Sequence, residues 1–311
     1  MNNRTEQQAG VLYAAFSYIL WGILPVYWKL LQHVNADEIL ANRVFWSFFV
    51  VAFILLLNKK WSLFTGTLLG LSQNKKQLAA LTIASILISI NWFIYIWAVN
   101  SDQMIEASLG YYINPLVSVL LGMVFLKERL SLPQYLSFLL AAIGVLIMTI
   151  SYGQFPWIAL SLAISFGLYG LAKKLIKVDS SVGLALETLV VMPLSAIYIG
   201  YLVAQGTNSL LSGSWTTTLL LVGAGAATAV PLLFFAKGAQ RIPLATLGIL
   251  QYIAPTLTLI LGVFVYHEAF SAVHLLAFTF IWSALILYSL SRTKLAAALT
   301  LKLKKEKGMH M

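Results

Sequence analysis

The chain has 311 residues, of which 60% are hydrophobic and only 10% are charged. Soluble globular proteins carry about 25% charged residues, so this chain lacks the charge needed to cover a water-exposed surface, and a soluble enzyme is excluded. The net charge of +10 does not indicate a nucleic-acid partner, because the Lys and Arg residues flank apolar runs or lie in a short tail. The absence of cysteine excludes disulfides and cysteine nucleophiles.

Apolar runs of about 20 residues, the length that spans a bilayer, recur along the whole chain. They predict an all-α integral membrane protein with ten transmembrane helices joined by short loops, the longest at 59–77 and 205–214. The predicted spans cover 11–31, 38–58, 78–99, 104–126, 132–150, 156–174, 182–204, 215–236, 244–266 and 272–290.

The loop charges predict the orientation of these spans, because Lys and Arg concentrate on the cytoplasmic side of membrane proteins. With the N-terminus in the cytoplasm, 18 of the 20 Lys and Arg residues fall in cytoplasmic segments, Lys173 among them. The other two, Lys29 and Arg43, lie within or at the outer ends of spans 1 and 2. Both termini and the basic tail at 293–311 are therefore predicted to be cytoplasmic.

The second half of the chain repeats the first at an offset of 140 residues. The segment SLGYYINPLVSVLLGMVFLKERLS (108–131) aligns without gaps on GILQYIAPTLTLILGVFVYHEAFS (248–271), with seven identities in 24 positions. Because a unit of five spans is odd in number, the second copy enters the membrane from the other side. Inverted repeats are typical of secondary transporters. We therefore predict two inverted five-helix repeats, at 8–150 and 151–292.

Spans 4 and 9 share a stripe of aromatic, polar and proline residues. Tyr112 and Pro115 lie on one helical face, and Tyr252 and Pro255 repeat them beside Gln251. A proline inside a span frees a backbone carbonyl and offers a hinge. The alternative is a packing kink in which neighbouring helices satisfy the tyrosine hydroxyls.

Span 3 places Asn91 and Tyr95 on one face, since they are four residues apart. A buried Asn needs hydrogen-bond partners, because an unpaired amide in hydrocarbon is costly. These residues predict an aromatic, hydrogen-bonding pocket, while Trp61 and Trp97 are assigned to the membrane interface. The pocket candidates are Tyr18, Trp21, Asn91, Trp92, Tyr95 and Asn114.

Charged residues inside spans are few and therefore informative. Arg43 in span 2 and Glu187 in span 7 occupy comparable places in the two repeats and are candidate gates or substrate partners, with Glu187 also a candidate protonatable group. Alternatively, Arg43 extends outward or pairs with Asp37 or Glu38. Glu128 and Glu268 each precede a serine that can cap the next helix, and we interpret them as architectural corners.

Motifs of hydrolases, zinc proteases and ATPases are absent from the sequence, and the four histidines lack metal-ligand spacing. We expect neither an enzyme nor a metal or cofactor site. The predicted partners are a small-molecule substrate and the lipid bilayer, with a proton as the candidate coupling ion.

Five segments resemble the RarD-type permeases of the EamA branch of the drug/metabolite transporter superfamily. They are NWFIYIWAVN (91–100), EASLGYYINPL (106–116), KERLS (127–131), TAVPLLFFAKGAQRIPLATLGILQYIAPTL (228–257) and HEAF (267–270). The resemblance covers 8–292. It implies two EamA repeats in a bacterial plasma membrane around a cavity with alternating access. The family's usual label, chloramphenicol-sensitivity protein, names a phenotype and not a substrate.

The resemblance also implies cavity positions. It places them at Asn91, Trp92, Tyr95, Asn114, Pro115, Pro231, Gln251, Tyr252 and Pro255. The repeats depart from symmetry where Asn91 matches Pro231 and Asn114 matches Ala254. We predict a secondary transporter that exports a small organic metabolite or drug by rocking of the repeats about a site lined by spans 1, 3, 4, 6, 8 and 9. The rivals are a passive channel, a membrane scaffold and a membrane-embedded enzyme.

Overall fold

The computed structural model describes residues 3–71, 73–100, 104–212, 214–265 and 271–291, and its regular structure there is entirely helical. Within these ranges, nine helices are long and apolar enough to cross a membrane, as expected for an all-α membrane protein. The helices are α1 (Asn3–Lys29), α2 (Ala36–Leu57), α3 (Trp61–Leu71), α4 (Lys75–Asn100), α5 (Met104–Phe125), α6 (Leu132–Tyr152), α7 (Trp157–Leu175), α8 (Ser180–Ala204), α9 (Ser209–Ser212), α10 (Trp215–Ala239), α11 (Leu244–Gln251), α12 (Ile253–Phe264) and α13 (Ala272–Ser291).

The prediction of a plain loop at 59–77 is wrong, because α3 occupies Trp61–Leu71 within it. A helix of 11 residues is about 16 Å long, roughly half the thickness of the hydrocarbon core. Phe64 and Leu71 are buried, whereas Leu69 is exposed. The helix thus packs one apolar face against α2, α4 and α8 and is too short to cross the membrane.

The ninth predicted span is broken into α11 and α12. The N–H of Tyr252, between the two helices, reaches the carbonyl of Ile249 at 3.3 Å. Pro255 explains the break, since it has no N–H to donate to the Gln251 carbonyl and its ring crowds that carbonyl. Pro115 lies inside an uninterrupted helix, as does Pro231.

Glycines bring helices from the two halves into backbone contact. A Cβ atom on Gly248 would lie 2.7 Å from the carbonyl oxygen of Pro115, and one on Gly225 would lie 2.5 Å from Cβ of Trp46. No side chain fits at either position, so α5 packs closely on α11 and α2 on α10. The most extensive helix pairs are α6–α13, α5–α7, α2–α10, α2–α8, α1–α10, α5–α11 and α4–α7.

One end of the bundle, which we call the basic end, is marked by Lys60, Lys174 and Arg241. The Nζ atom of Lys60 lies 2.5 Å from Oδ2 of Asp179, the N-cap residue of α8. Burial alone would raise the pKa of Asp179, but hydrogen bonds from Lys60 and Ser181 and the charge of Lys60 hold it below its ordinary value. Lys174 donates to a backbone carbonyl in the loop before α11 at 2.6 Å. These contacts join α2, α7, α8 and the α10–α11 loop.

Glu128 connects the two halves at the basic end. Its Oε1 accepts the N–H of Leu244 at 2.7 Å, and its Oε2 accepts the N–H of Ala245 at 2.8 Å. These are free N–H groups at the start of α11, where the helix dipole favours a negative charge. The interpretation of Glu128 as an architectural corner is therefore supported by the structure, while Glu268 lies outside the described residues.

We expect Glu128→Ala to lower the free energy of unfolding by roughly 1.5–3 kcal/mol, because two N–H groups lose a charged acceptor. Glu6→Ala is the matched control. The carboxylate of Glu6 pairs with Arg241 at 3.0 Å but is 38% exposed, so its loss is expected to cost less than about 1 kcal/mol. Unfolding in mixed micelles, followed by tryptophan fluorescence, measures both. Equal losses in the two variants would contradict the capping role of Glu128.

Candidate functional site

Arg43 lies inside α2, seven residues or about 10 Å from the start of that helix. Its guanidinium carbon Cζ is 5.0 Å from the ring centroid of Trp28 and 4.9 Å from that of Trp92. Both distances are within the range of about 6 Å for cation–π attraction. Its Nε also donates to Oγ1 of Thr228 at 3.1 Å. Residues from α1, α4 and α10 thus surround a partly buried cation on α2.

The nearby acidic residues do not neutralise Arg43. Asp37 accepts a hydrogen bond from the hydroxyl of Tyr198, and Glu38 accepts one from the hydroxyl of Ser209 at 2.8 Å. These contacts lie at the end of the bundle away from the basic end, hereafter the opposite end. The pairing of Arg43 with Asp37 or Glu38, left open by the sequence, is therefore wrong. None of the carboxylates in the described ranges forms an ion pair with Arg43.

Two tyrosines extend this site toward α5. The ring centroids of Tyr95 and Tyr111 are 5.9 Å apart in an edge-to-face arrangement, and both side chains interact electrostatically with Arg43. The side chain of Tyr111 is 46% accessible. We call Arg43, Trp28, Trp92, Tyr95 and Tyr111 the arginine cluster.

A second charged cluster lies nearer the basic end. The Nζ atom of Lys173 is 2.8 Å from Oε1 of Glu187, and both side chains are almost fully buried, with 1% and 2% exposed. The hydroxyl of Tyr169 donates to Oε2 of Glu187 at 3.2 Å. The sequence analysis counted Lys173 among the cytoplasmic lysines and did not predict this pairing; its side chain turns into the bundle from the last turn of α7 and neutralises Glu187. We call these three residues the ion-pair cluster.

The two clusters border the same cavity. It has a volume of about 10 Å³, which is room for about one water molecule, and lies between α2, α4, α7, α8 and α10. Trp92 of the arginine cluster lines it, and so do Tyr169 and Glu187 of the ion-pair cluster. The rest of its lining is mainly apolar: Val44, Ile88, Leu184, Thr188, Val191 and Leu232. The cavity is too small for an organic solute in this conformation, although an apolar lining with a few convergent polar groups is the kind that small-molecule sites have.

Two of the other predicted pocket residues belong to an aromatic cluster beside this cavity. Tyr18 is fully buried and donates its hydroxyl to the carbonyl of Leu247 at 3.1 Å, which joins α1 to α11. The Trp21 ring lies 5.7 Å from that of Tyr18 and also contacts two phenylalanines, Phe166 and Phe235. Through Phe235, this cluster reaches the stacked ring of Tyr169.

Asn91 binds protein rather than open space. Its Nδ2 donates to the carbonyl of Leu162 and to the hydroxyl of Ser165, both at 2.9 Å and both on α7. The predicted need for hydrogen-bond partners is thus met by the neighbouring helix, and Asn91 fastens α4 to α7.

The stripe residues of spans 4 and 9 contact one another. Tyr252 is fully buried and donates its hydroxyl to the carbonyl of Tyr112 at 3.2 Å, while the Tyr112 ring packs 5.2 Å from that of Phe278. Gln251 and Asn114 are also buried, and Oδ1 of Asn114 has no hydrogen-bond partner among the described residues. Of the predicted pocket residues, Trp92 and Tyr95 are those that lie in the arginine cluster.

Sequence reasoning missed four residues of the two clusters, Trp28, Tyr111, Tyr169 and Lys173, and also Thr228, which bonds to Arg43. Tyr111 carried a usable signal, because it is the neighbour of Tyr112 in span 4. Thr228 carried none of its own, since only the packing of α10 against α2 brings it to Arg43.

The comparisons with known proteins agree with this architecture. Residues 8–150 match the model of the EamA-like transporter family. The chain is 51% identical to the "Uncharacterized transporter YojE" of Bacillus subtilis, over 93% of this chain and 96% of that one. It is 43% identical to "Protein RarD" of Escherichia coli, over 91% and 94% of the two chains.

A solved crystal structure at 19% identity superimposes with a TM-score of 0.67, covering 93% of this chain and 99% of the other. That likeness shows a shared fold. The identity to RarD and YojE over nearly the full length shows more: the chain belongs to the EamA-like transporter family as a RarD-type permease, a multi-pass membrane transporter of the drug/metabolite superfamily and not an enzyme.

Proposed function

We propose that this protein is a secondary active transporter that exports a small organic solute across a bacterial plasma membrane by alternating access. The observation that carries the proposal is a cavity between the two halves, lined by Trp92 from the first, whose ring contacts Arg43, and by Glu187 from the second. In this proposal ten spans form two inverted repeats, at 8–150 and 151–292. Both termini and the tail at 293–311 are cytoplasmic, so the basic end faces the cytoplasm.

The helix contacts support the repeats. In the proposed repeats, α1, α2, α4, α5 and α6 of the first correspond in that order to α7, α8, α10, α11–α12 and α13 of the second. Replacing each helix by its counterpart converts the α1–α10 contact into α4–α7, the α5–α7 contact into α1–α12 and the α2–α10 contact into α4–α8. The α2–α8, α5–α11 and α6–α13 contacts map onto themselves. Such a pattern is expected for two units related by a twofold axis in the membrane plane.

The two halves are not in equivalent states. The α4–α8 contact is less extensive than its counterpart α2–α10. The ion-pair cluster also separates the cavity from the basic end, where Glu128 and Lys60 join the two halves. A carrier of this type alternates between two states in which the two repeats exchange conformations. In either state, the two repeats must therefore differ in their helix contacts.

We expect single cysteines to report the orientation, and the cysteine-free chain makes this test direct. Thr207→Cys lies in an exposed segment at the opposite end, and Gln73→Cys in an exposed segment at the basic end. An impermeant maleimide should label Thr207→Cys from outside intact cells and Gln73→Cys only in inside-out vesicles. Labelling of Gln73→Cys from outside would overturn the assigned orientation.

Alternating access makes a second prediction at Val191, which lines the cavity. Val191→Cys should react with an impermeant thiol reagent from either face of the membrane, and crosslinking that holds one face closed should abolish reaction from that face only. A channel would admit the reagent from both faces at once, and a scaffold from neither. Ile197→Cys, on the exposed surface of the same helix, is the control for reagent that enters through lipid.

The ion-pair cluster is the proposed inner gate and the candidate site of proton coupling. Glu187→Gln alone and Lys173→Met alone should each lower the free energy of unfolding by about 3–5 kcal/mol, because each leaves one buried charge unpaired. The double variant should recover most of that loss. Thiol reactivity itself rises with pH, so Ile197→Cys gives the reference profile. If Glu187 carries the coupling proton, the double variant also removes the pH dependence of Val191→Cys labelling that exceeds this reference. An unchanged pH profile would exclude Glu187 from coupling.

A further inference from the structure

We propose that the transported solute is a small organic acid, a carboxylate attached to a planar or aromatic group, and that Arg43 binds its carboxylate. This inference rests on the proposed transport function and names the substrate class of the same cavity.

The first argument is the set of donors that Arg43 leaves free. A guanidinium carries five N–H donors in a rigid planar fork. Nε donates to Thr228, but the two terminal nitrogens donate to no acceptor within the described part of the chain. A carboxylate accepts two parallel hydrogen bonds from that fork. The unoccupied donor set therefore matches the geometry of a carboxylate.

The second argument is the aromatic wall around the cation. Trp28 and Trp92 flank the guanidinium at 5.0 and 4.9 Å, so its position is fixed before a solute enters. Tyr95 and Tyr111 add ring surface on the side of α5, and Tyr111 is 46% exposed. Aromatic faces and edges favour planar apolar groups through stacking and edge contacts. These rings therefore favour a solute whose carboxylate is attached to a planar apolar group.

The third argument is the sign of the available charge. Each carboxylate whose side chain is described has a hydrogen-bond partner, and Glu187 is the one that lines the cavity. An ammonium group entering the cavity would therefore lose its hydration without gaining a counter-ion. Glu187, which borders the cavity, is neutralised by Lys173. The site therefore favours anions over cations and zwitterions. The partners are Arg241 for Glu6, Tyr198 for Asp37, Ser209 for Glu38, Leu244 for Glu128, Lys60 for Asp179 and Lys173 for Glu187.

Binding of matched probes to the purified full-length protein tests the charge requirement. Benzoate, benzamide and benzylamine share one ring and differ in charge, and acetate and inorganic phosphate supply the anion without the ring. We expect benzoate to raise the melting temperature in a concentration-dependent manner and benzamide and benzylamine to have little effect. Acetate and phosphate should bind more weakly than benzoate. An equal shift by benzamide, or no shift by benzoate, would overturn the proposal.

Substitution of Arg43 tests the assigned residue. Arg43→Gln should weaken benzoate binding roughly tenfold or more, and Arg43→Lys should restore only part of it, because a lysine lacks the fork. Arg241→Gln, which removes an arginine from the surface, is the control and should bind benzoate normally. Without ligand, Arg43→Gln should melt no lower than the native chain, because it removes a charge that lacks an acidic partner. Full retention of benzoate binding by Arg43→Gln would refute the assignment.

The labelling of Val191→Cys separates failure of this inference from failure of the proposed function. If the cysteine still reacts alternately from the two faces while benzoate does not bind, the protein is a carrier whose solute is not an organic acid. If alternate reaction is absent, the transport proposal itself fails.

Discussion

Inside a bilayer, polar and charged groups must find partners within the protein, because the hydrocarbon offers none. Several polar side chains in the described part of this chain follow that constraint, whereas Oδ1 of Asn42, Nε1 of Trp46 and Oδ1 of Asn114 are buried there without a partner. Asn91 bonds to α7, Glu187 pairs with Lys173, and Glu128 caps the start of α11. These contacts connect helices as well as satisfying polar atoms. The positions of α4, α7, α8 and α11 therefore depend on a small number of buried polar pairs.

The same constraint explains how one cavity acquires two different sides. On the side of the basic end, Lys173 and Glu187 cancel each other's charge and Tyr169 adds a hydrogen bond, so that side is neutral. On the other side, Arg43 is held by indole rings and one hydroxyl, so its positive charge persists. The two halves of the chain thus contribute different chemistry to the surroundings of the cavity.

The sequence predicted the helices much better than the site. Long apolar runs and loop charges depend only on local composition, so most of the spans could be placed. The apolar α3 was not predicted, because it is shorter than a membrane span. The arginine cluster depends on which face of each helix meets its neighbour. Tyr111 and Tyr112 differ by one residue, or about 100° around a helix, and the two rings face different helices. Lys173 was counted like any other lysine near a helix end, because its partner lies 14 residues away on the next helix.

A buried cation without an acidic partner is costly, and indole rings offset only part of that cost. A purely structural role for Arg43 would be met more favourably by an apolar residue or by a nearby carboxylate. Asp37 and Glu38 lie on the same helix, yet both are bonded to groups at the opposite end. The indole rings and Thr228 compensate the charge of Arg43 only in part, whereas an entering anion would supply a full electrostatic partner. The unpaired charge is therefore best explained by a ligand that is present for only part of the transport cycle.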